Sequence, residues 1–265
     1  MAYLYLENME FKDYRLNLVI ENKEVVGVYS RNKKLVSEFL RVISGINKTK
    51  SCLYQGKEVF DNREYFQNRI SLDYAHTYLS TLRIANIEEA LKSKYSLSFN
   101  KEKFIKIGRE LDIRGETEIT FQYKFSPAGN TFVNYALTVA LEKPNVIIEN
   151  PTHGLNLAED IEYIVSGITD KSVFNTAIIE LDRLRLFKNR LQKILIFSDF
   201  NKAYFLDPKT QLVIIPEDIE IDEPLYTTEE GVIGILTYTK GELKILQKNK
   251  IDYRIISIYD LEEYL

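Results

Sequence analysis

Apolar positions along this chain switch between a two-residue and a helical period, and the switches mark its elements. Residues 3–6 and 15–20 alternate as strands do, and Glu24 to Ser30, EVVGVYS, reads as a buried strand ending in a turn. From about Lys34 to Ser44 the spacing becomes helical. Leu35, Phe39, Leu40, Val42 and Ile43 mark one face, and Gly45 follows as a C-cap. A strand is expected at Arg69 to Leu72, helices over 84–95 and 101–111, and a helical run from Phe132 to Leu141. The stretch from Asn145 to Asn156, NVIIENPTHGLN, organises the rest: Val146, Ile147 and Ile148 suit a fully buried strand that ends in Glu149, Asn150 and Pro151. Beyond it, 157–168 suits a helix, Thr176 to Ile179 a strand, 183–192 a basic helix with a solvated face, and Lys193 to Phe197 another strand. From about Pro208 the pattern becomes hairpin-like. Gly231 to Tyr238, Lys240 to Gln247, Tyr253 to Ile258 and Asp260 to Leu265 then suggest a small strand–helix–strand–helix appendage.

This alternation predicts an α/β fold, and in open α/β sheets ligands bind in the crevice outside the carboxyl ends of the strands. The polar ending of the Val146–Ile148 strand therefore falls where chemistry would sit. On those residues alone, any buried strand followed by a turn is the simpler reading.

With 265 residues, the chain is long enough for one large α/β domain with a small appendage. Hydrophobic residues make up 45% and charged residues 28%, which is ordinary globular usage, and the net charge of −4 argues against nucleic acid as the main partner. No run of about 18 apolar residues occurs, and the start MAYLYLENMEFKD lacks the pattern of a secretory signal, so a cytosolic protein is expected. Cys52 has no partner for a disulfide, and with only His76 and His153 no Cys/His metal cluster can form.

The run from Glu149 to Asn156 resembles the Walker B segment of ATP-binding-cassette (ABC) ATPases, in which four apolar residues precede Asp-Glu-Pro-Thr and then x-Gly-Leu-Asp. In that family the aspartate holds Mg²⁺ and the glutamate polarises the attacking water. Asn150 stands at the glutamate, and an amide cannot serve as a general base. The order Glu149–Asn150 also admits a register shifted by one residue; either way one carboxylate stands where the family has two. Strand, loop and helix over 24–44 form the scaffold of a P-loop, G-x-x-x-x-G-K-[ST]. One alignment puts Ser30 and Leu35 at the two glycines and Val36 at the lysine, and Ser37 keeps the hydroxyl. This register preserves the helix length to Ser44-Gly45. The other starts from Gly27, with Asn32 at the second glycine, Lys33 at the lysine and Lys34 at the hydroxyl residue. Both break the motif. Losing a charge-assisted hydrogen bond costs roughly 1.5–3 kcal/mol, and side chains at glycine positions obstruct the backbone cradle, so tight ATP binding in the usual mode is not expected.

Other landmarks of the family follow in order. CLYQGKEVF, from Cys52 to Phe60, resembles its strand–turn–strand after the first helix. Asp73-Tyr74-Ala75-His76 stands where the family has a γ-phosphate-sensing glutamine, and Glu180-Leu181-Asp182 where it has a histidine. Tyr123 to Asn130, YKFSPAGN, resembles the signature Leu-Ser-Gly-Gly-Gln through Ser126, Gly129 and Asn130; in ABC dimers that loop caps the γ-phosphate bound by the partner. An ordinary N-cap and turn fits the same residues. The ending IISIYDLEEYL resembles the close of the C-terminal extension in drug and bacteriocin exporter ATPases.

The resemblance, over roughly residues 2–206, implies an ABC-ATPase-like P-loop fold: a degenerate nucleotide-binding-like domain at 1–207, with a helical subdomain at about 80–135, and an α/β extension at 208–265. It implies a catalytically impaired subunit that pairs with an intact ABC ATPase and a membrane permease in a peptide or drug exporter. The chain would lie at the inner face of the membrane through those partners, with ATP and Mg²⁺ at most at a shared interface. A regulatory scaffold on the same fold without nucleotide, and a slow ATPase, are the alternatives.

Overall fold

The computed structural model describes residues 2–76, 78, 88–89, 91–92, 98–110, 126–219, 221–236, 246–248 and 250–265. Most of the expected helix at 84–95, the residues before Ser126 in the signature-like loop, and most of the expected helix at Lys240 to Gln247 lie outside this set.

The centre is a six-stranded sheet. Its parallel strands are β3 (Val25–Tyr29), β6 (Arg69–Asp73), β7 (Asn145–Glu149), β8 (Thr176–Glu180) and β9 (Lys193–Phe197), and the antiparallel β10 (Ala203–Leu206) closes one edge. The order is β10-β9-β3-β8-β7-β6. Both faces of the middle strands are covered, which is why they read as continuous apolar runs rather than alternating ones. Alternate residues feed two clusters. Val26, Val28, Ile147, Ile178 and Phe197 face helix α1 (Lys33–Ile43) and an N-terminal antiparallel sheet. That sheet comprises β1 (Ala2–Phe11), β2 (Tyr14–Glu21), β4 (Cys52–Tyr54) and β5 (Lys57–Glu58), in the order β2-β1-β4-β5.

Val25, Tyr29, Val146, Ile148, Ala177, Ile179 and Ile194 face the opposite side. There the cover is α3 (Lys101–Glu110), α4 (Pro127–Ala140) and α5 (Ala158–Ile168). The same cluster takes in Leu212, Leu225, Tyr226, Ile233 and Ile258 from the C-terminal region. That region forms a third, antiparallel sheet of β11 (Gln211–Ile215), β12 (Pro224–Thr228), β13 (Gly231–Ile235) and β14 (Arg254–Ser257), in the order β12-β13-β11-β14. A 3₁₀ helix at Ile258–Tyr264 follows. The C-terminal sheet thus shares one hydrophobic core with the central sheet.

Three local findings differ from the expectations. A short helix, α2 (Arg63–Asn68), precedes β6, capped by the Asn62 side chain on the Tyr65 N–H; its six residues are too few for a period to show. The expected basic helix at 183–192 is a single 3₁₀ turn at Leu184–Phe187. Leu184 and Phe187 are both fully buried, a spacing of three that suits one such turn, and Asn189 (φ +65°) takes the chain out of helical geometry. Its cations are not simply solvated: Arg185 pairs with Asp260 and Glu263, and Arg190 with Glu162. Strand β12 has no counterpart among the expected elements because Pro224 and the acids around it read as a boundary, although a proline opening an edge strand is permitted.

Candidate functional site at the edge of the parallel sheet

Parallel register sets the site. Asp73 pairs with Glu149 across β6 and β7, Ile148 with Ile179 across β7 and β8, and Val28 with Glu180 across β3 and β8. Three carboxylates therefore stand side by side where the strands end, and the loop after β3 runs past them.

That loop is closed on itself. Asn32 is the N-cap of α1: its Oδ1 accepts from the Leu35 N–H (3.2 Å) and its own N–H donates to Ser30 Oγ (3.2 Å). The Asn32 carbonyl accepts from the N–H groups of Leu35 and Val36 as well. No residue from 30 to 37 has a positive φ, so the chain does not form the concave row of N–H groups that cradles phosphate. Leu35 and Val36 are buried against Phe39 in the core, so the position of the P-loop lysine in the first alignment does not face the site. Lys33 and Lys34 are exposed, Lys34 lying within 4.0 Å of Glu38. Ser37 Oγ donates to Glu149 Oε2 at 2.7 Å, which joins the start of α1 to the end of β7.

Glu149 is buried, and burial raises its pKa; the Ser37 hydrogen bond opposes the shift and the Asp73 charge adds to it. Asn150 follows in a left-handed conformation, φ +50°. Its backbone N–H donates to Glu180 Oε2 and its Nδ2 to Asp73 Oδ1, both at 2.8 Å. Glu180, 3% exposed, is pushed up to about 7, chiefly by burial and further by the Asp182 and Glu149 charges, with Lys33 opposing. Thr152 donates to Asp182 Oδ2 at 2.5 Å. Ser37, Asn150 and Thr152 are each held by a neighbouring carboxylate, Asp182 Oδ1 has no hydrogen-bond partner, and the charge collected here is mainly negative. A triphosphate, with its own negative charge and no cradle, does not fit these residues. Among the described residues no group of three or more His, Cys, Asp or Glu has metal-binding geometry.

Leu181, between Glu180 and Asp182, is turned into the core: a Cβ on Gly27 would lie 2.5 Å from its Cδ1. His153 adds only backbone contacts, its carbonyl accepting from Thr131 Oγ1 at 2.7 Å. Asp73, Glu180 and Asp182 went unassigned from sequence. Each ends or follows a short apolar strand, as Glu149 does, and that shared position was the available signal.

The signature-like residues form a second surface. Ser126 caps α4, its Oγ accepting from the Gly129 N–H at 3.0 Å, and Pro127 occupies the first helical position, where a missing N–H costs nothing. Ser126 and Pro127 are exposed, and Asn130 is buried. The turn after β7 abuts this helix start. Gly154 has φ +71°, and a Cβ there would lie 2.4 Å from Pro127 Cβ and 2.7 Å from the Ala128 nitrogen. The Walker B-like turn and the signature-like helix are therefore one mechanical unit.

This architecture is the ABC-ATPase P-loop fold. Among solved structures, the chain is similar to CbiO1 of Clostridium perfringens, part of the ABC transporter complex CbiONQ. The two are 15% identical with a TM-score of 0.58, over 78% of this chain and 89% of that one. It is similar over 99% of its length, and 100% of the other's, to a protein described as a cobalt transport ATP-binding protein, with 18% identity and a TM-score of 0.64. A nucleotide-free ATP-binding cassette from an ABC transporter matches 78% of this chain and 92% of its own, with 15% identity and a TM-score of 0.57. No protein-family profile matches the sequence, and no curated protein matches it. Among the described residues no helix is long and apolar enough to cross a membrane.

Proposed function

We propose that this chain is a catalytically silent ABC-type subunit that contributes dimerisation, permease docking and its signature-like loop to an intact partner ATPase. The observation that carries this reading is an asymmetry within the site. The phosphate-loop position is closed by Asn32 and faced by carboxylates, whereas the helix start at Ser126–Gly129 keeps its cap and its outward face. A helix N-terminus carries positive partial charge and can meet a phosphate held by another chain. The ATP and Mg²⁺ would then belong to the partner's loop. The exporter assignment of the sequence rests on the ending IISIYDLEEYL alone, while one similar structure is described as a cobalt transport ATP-binding protein, so the proposal names no cargo.

The test begins with gentle affinity purification from detergent-solubilised native membranes. Recovery of a second ATPase with intact motifs and a multi-span membrane protein is expected; the chain recovered alone would replace this reading with the scaffold. In the recovered complex, Gly129→Glu places a carboxylate at the positive end of α4 and should lower the ATPase rate at least tenfold. An unchanged rate removes the signature-loop role. The isolated chain should not bind Mg²⁺-ATP.

A further inference from the structure

The phosphate-loop position touches not only its own neighbours but also the C-terminal sheet. Arg31, between Ser30 and the cap Asn32, points away from the carboxylates. Its Nη1 donates to the Thr227 carbonyl of β12 at 3.0 Å and to Asp199 Oδ2 at 3.1 Å. Its guanidinium lies over the Tyr226 ring, 5.9 Å from the centroid. Tyr29, the last residue of β3, meets the same ring edge-to-face with centroids 6.5 Å apart. Tyr226 is itself fully buried and fixed by its hydroxyl, which donates to the Phe197 carbonyl at 2.8 Å. The Asp199 N–H donates to the Leu225 carbonyl at 2.9 Å, so the residue that receives Arg31 is tied to β12 as well. On the other flank, Glu262 of the C-terminal 3₁₀ helix accepts from the Leu184 N–H and lies within electrostatic reach of Lys33, Asp182 and Tyr29. Lys33 lies within electrostatic reach of both Glu180 and Glu262.

We propose that the C-terminal sheet and the helix after it act as a built-in clasp on the phosphate-loop position. Arg31 and Tyr226 form the closure, and it holds residues 30–36 in the capped, anion-rejecting conformation. Sequence degeneracy and the clasp are separate devices. The first removes the groups that bind phosphate, and the second removes the mobility with which a loop could remodel around a ligand. Tyr226 belongs to the hydrophobic core, so the clasp is anchored there. Arg31 is solvent-exposed and serves as its latch. A guanidinium suits that task, because one planar group can meet a carbonyl, a carboxylate and a ring face together. The clasp is independent of any partner, and its failure would leave the partner-dependent function proposed above untouched.

Hydrogen–deuterium exchange on the isolated full chain tests the clasp, since it reads local opening directly. Arg31→Ala changes an exposed residue and should leave the fold intact. Exchange of the amides in 30–36 should rise at least tenfold, while the amides of α5 at 158–168 keep their native rates. Arg31→Lys retains the charge but not the planar fork, and should recover less than half of the lost protection. Tyr226→Phe keeps the ring and loses only the bond to Phe197, so it should raise exchange in 30–36 by a few-fold. Unchanged protection of 30–36 in Arg31→Ala would overturn the proposal. So would a rise of equal size in 30–36 and 158–168, which would report general destabilisation rather than a released latch.

Discussion

Placing a carboxylate at position 150 should harm the molecule, and the size of the harm can be worked out. In Asn150→Asp an oxygen replaces Nδ2, the atom now 2.8 Å from Asp73 Oδ1. A charge-assisted hydrogen bond worth about 1.5–3 kcal/mol is lost. Two negative charges about 4 Å apart also repel by about 4 kcal/mol at an effective dielectric of about 20. Both residues are half-buried, so water screens part of that repulsion. The pair has an escape, which is to bind one proton. At pH 7, protonating a carboxyl of ordinary pKa, ~3.9, costs about 4 kcal/mol, and the shared proton restores a hydrogen bond between the two groups. The destabilisation at pH 7 is therefore about 3–4 kcal/mol, with proton uptake as its ceiling.

The pH dependence follows from the same balance. The coupled carboxyls of the folded variant hold a proton that the unfolded chain has lost, so the folded state binds more protons and stability rises as pH falls. Between pH 7 and pH 5 the penalty should shrink by about 1.4 kcal/mol per unit. Urea unfolding of native, Asn150→Asp and Asn150→Ala chains at pH 5, 6, 7 and 8 reads this out. Asn150→Ala loses the donor without adding a charge, so its deficit should be about 1–3 kcal/mol and flat with pH. An Asn150→Asp deficit equal to that of Asn150→Ala at every pH would refute the reasoning, because it would mean that the carboxylates do not sense one another.

Two further outcomes follow from the same site. The folded pKa of Glu180, about 7, lies above the unfolded carboxyl value, so the native chain loses stability as pH rises from about 4.5 to about 7 and stays level above. Glu180→Gln keeps an acceptor for the Asn150 N–H and should remove that slope, gaining up to about 3 kcal/mol at pH 7.5 in urea melts; an unchanged slope would place the titration elsewhere. Gly154→Ala combines a left-handed φ with a Cβ driven into Pro127 and Ala128, and should cost about 1–3 kcal/mol. Thermal unfolding checks the loss, and an unshifted midpoint would show that the turn and α4 are not rigidly joined.

Much of this was legible in the sequence because it is written in local periods. The buried runs of β3, β7, β8 and β9 lie within a residue or two of their expected limits, and α1 runs from Lys33 to Ile43 with Ser44 as its C-cap, one residue before the expected Gly45, which turns the chain at φ +70°. The ABC-type architecture followed from the order of those elements. What stayed hidden depends on contacts between distant residues. Asp73, Glu149 and Glu180 are separated by dozens of positions, and only the parallel register shows that they share an edge. Pro208, Pro216 and Pro224 with the acids among them read as a domain boundary near 208–225, yet β12 begins at Pro224 and its Tyr226 meets Tyr29 at the end of β3. The basic run near 185 looked solvated because its acceptors, Asp260 and Glu263, lie some 75 residues further on.

The substitutions at this edge are physically coupled, which bears on whether the chain is a decayed enzyme or a protein with its own logic. Val36 lies in the core, and the cations that act on the edge carboxylates are Lys33, which opposes the shift of Glu180, and Arg41, which opposes that of Glu149. Burying further negative charge beside these carboxylates would be costly, and the amide at 150 adds none while its Nδ2 donates to Asp73 and the backbone N–H of the same residue to Glu180. A lysine at 36 would have to leave the core, and a carboxylate at 150 would meet Asp73. The observed combination leaves Ser37, Glu149, Asn150, Asp73 and Glu180 joined by hydrogen bonds that brace the ends of β6, β7 and β8 against α1. That brace fixes the turn bearing Gly154, and through it the start of α4. A rigidly held α4 is what a subunit needs if its contribution is the loop it presents to another chain.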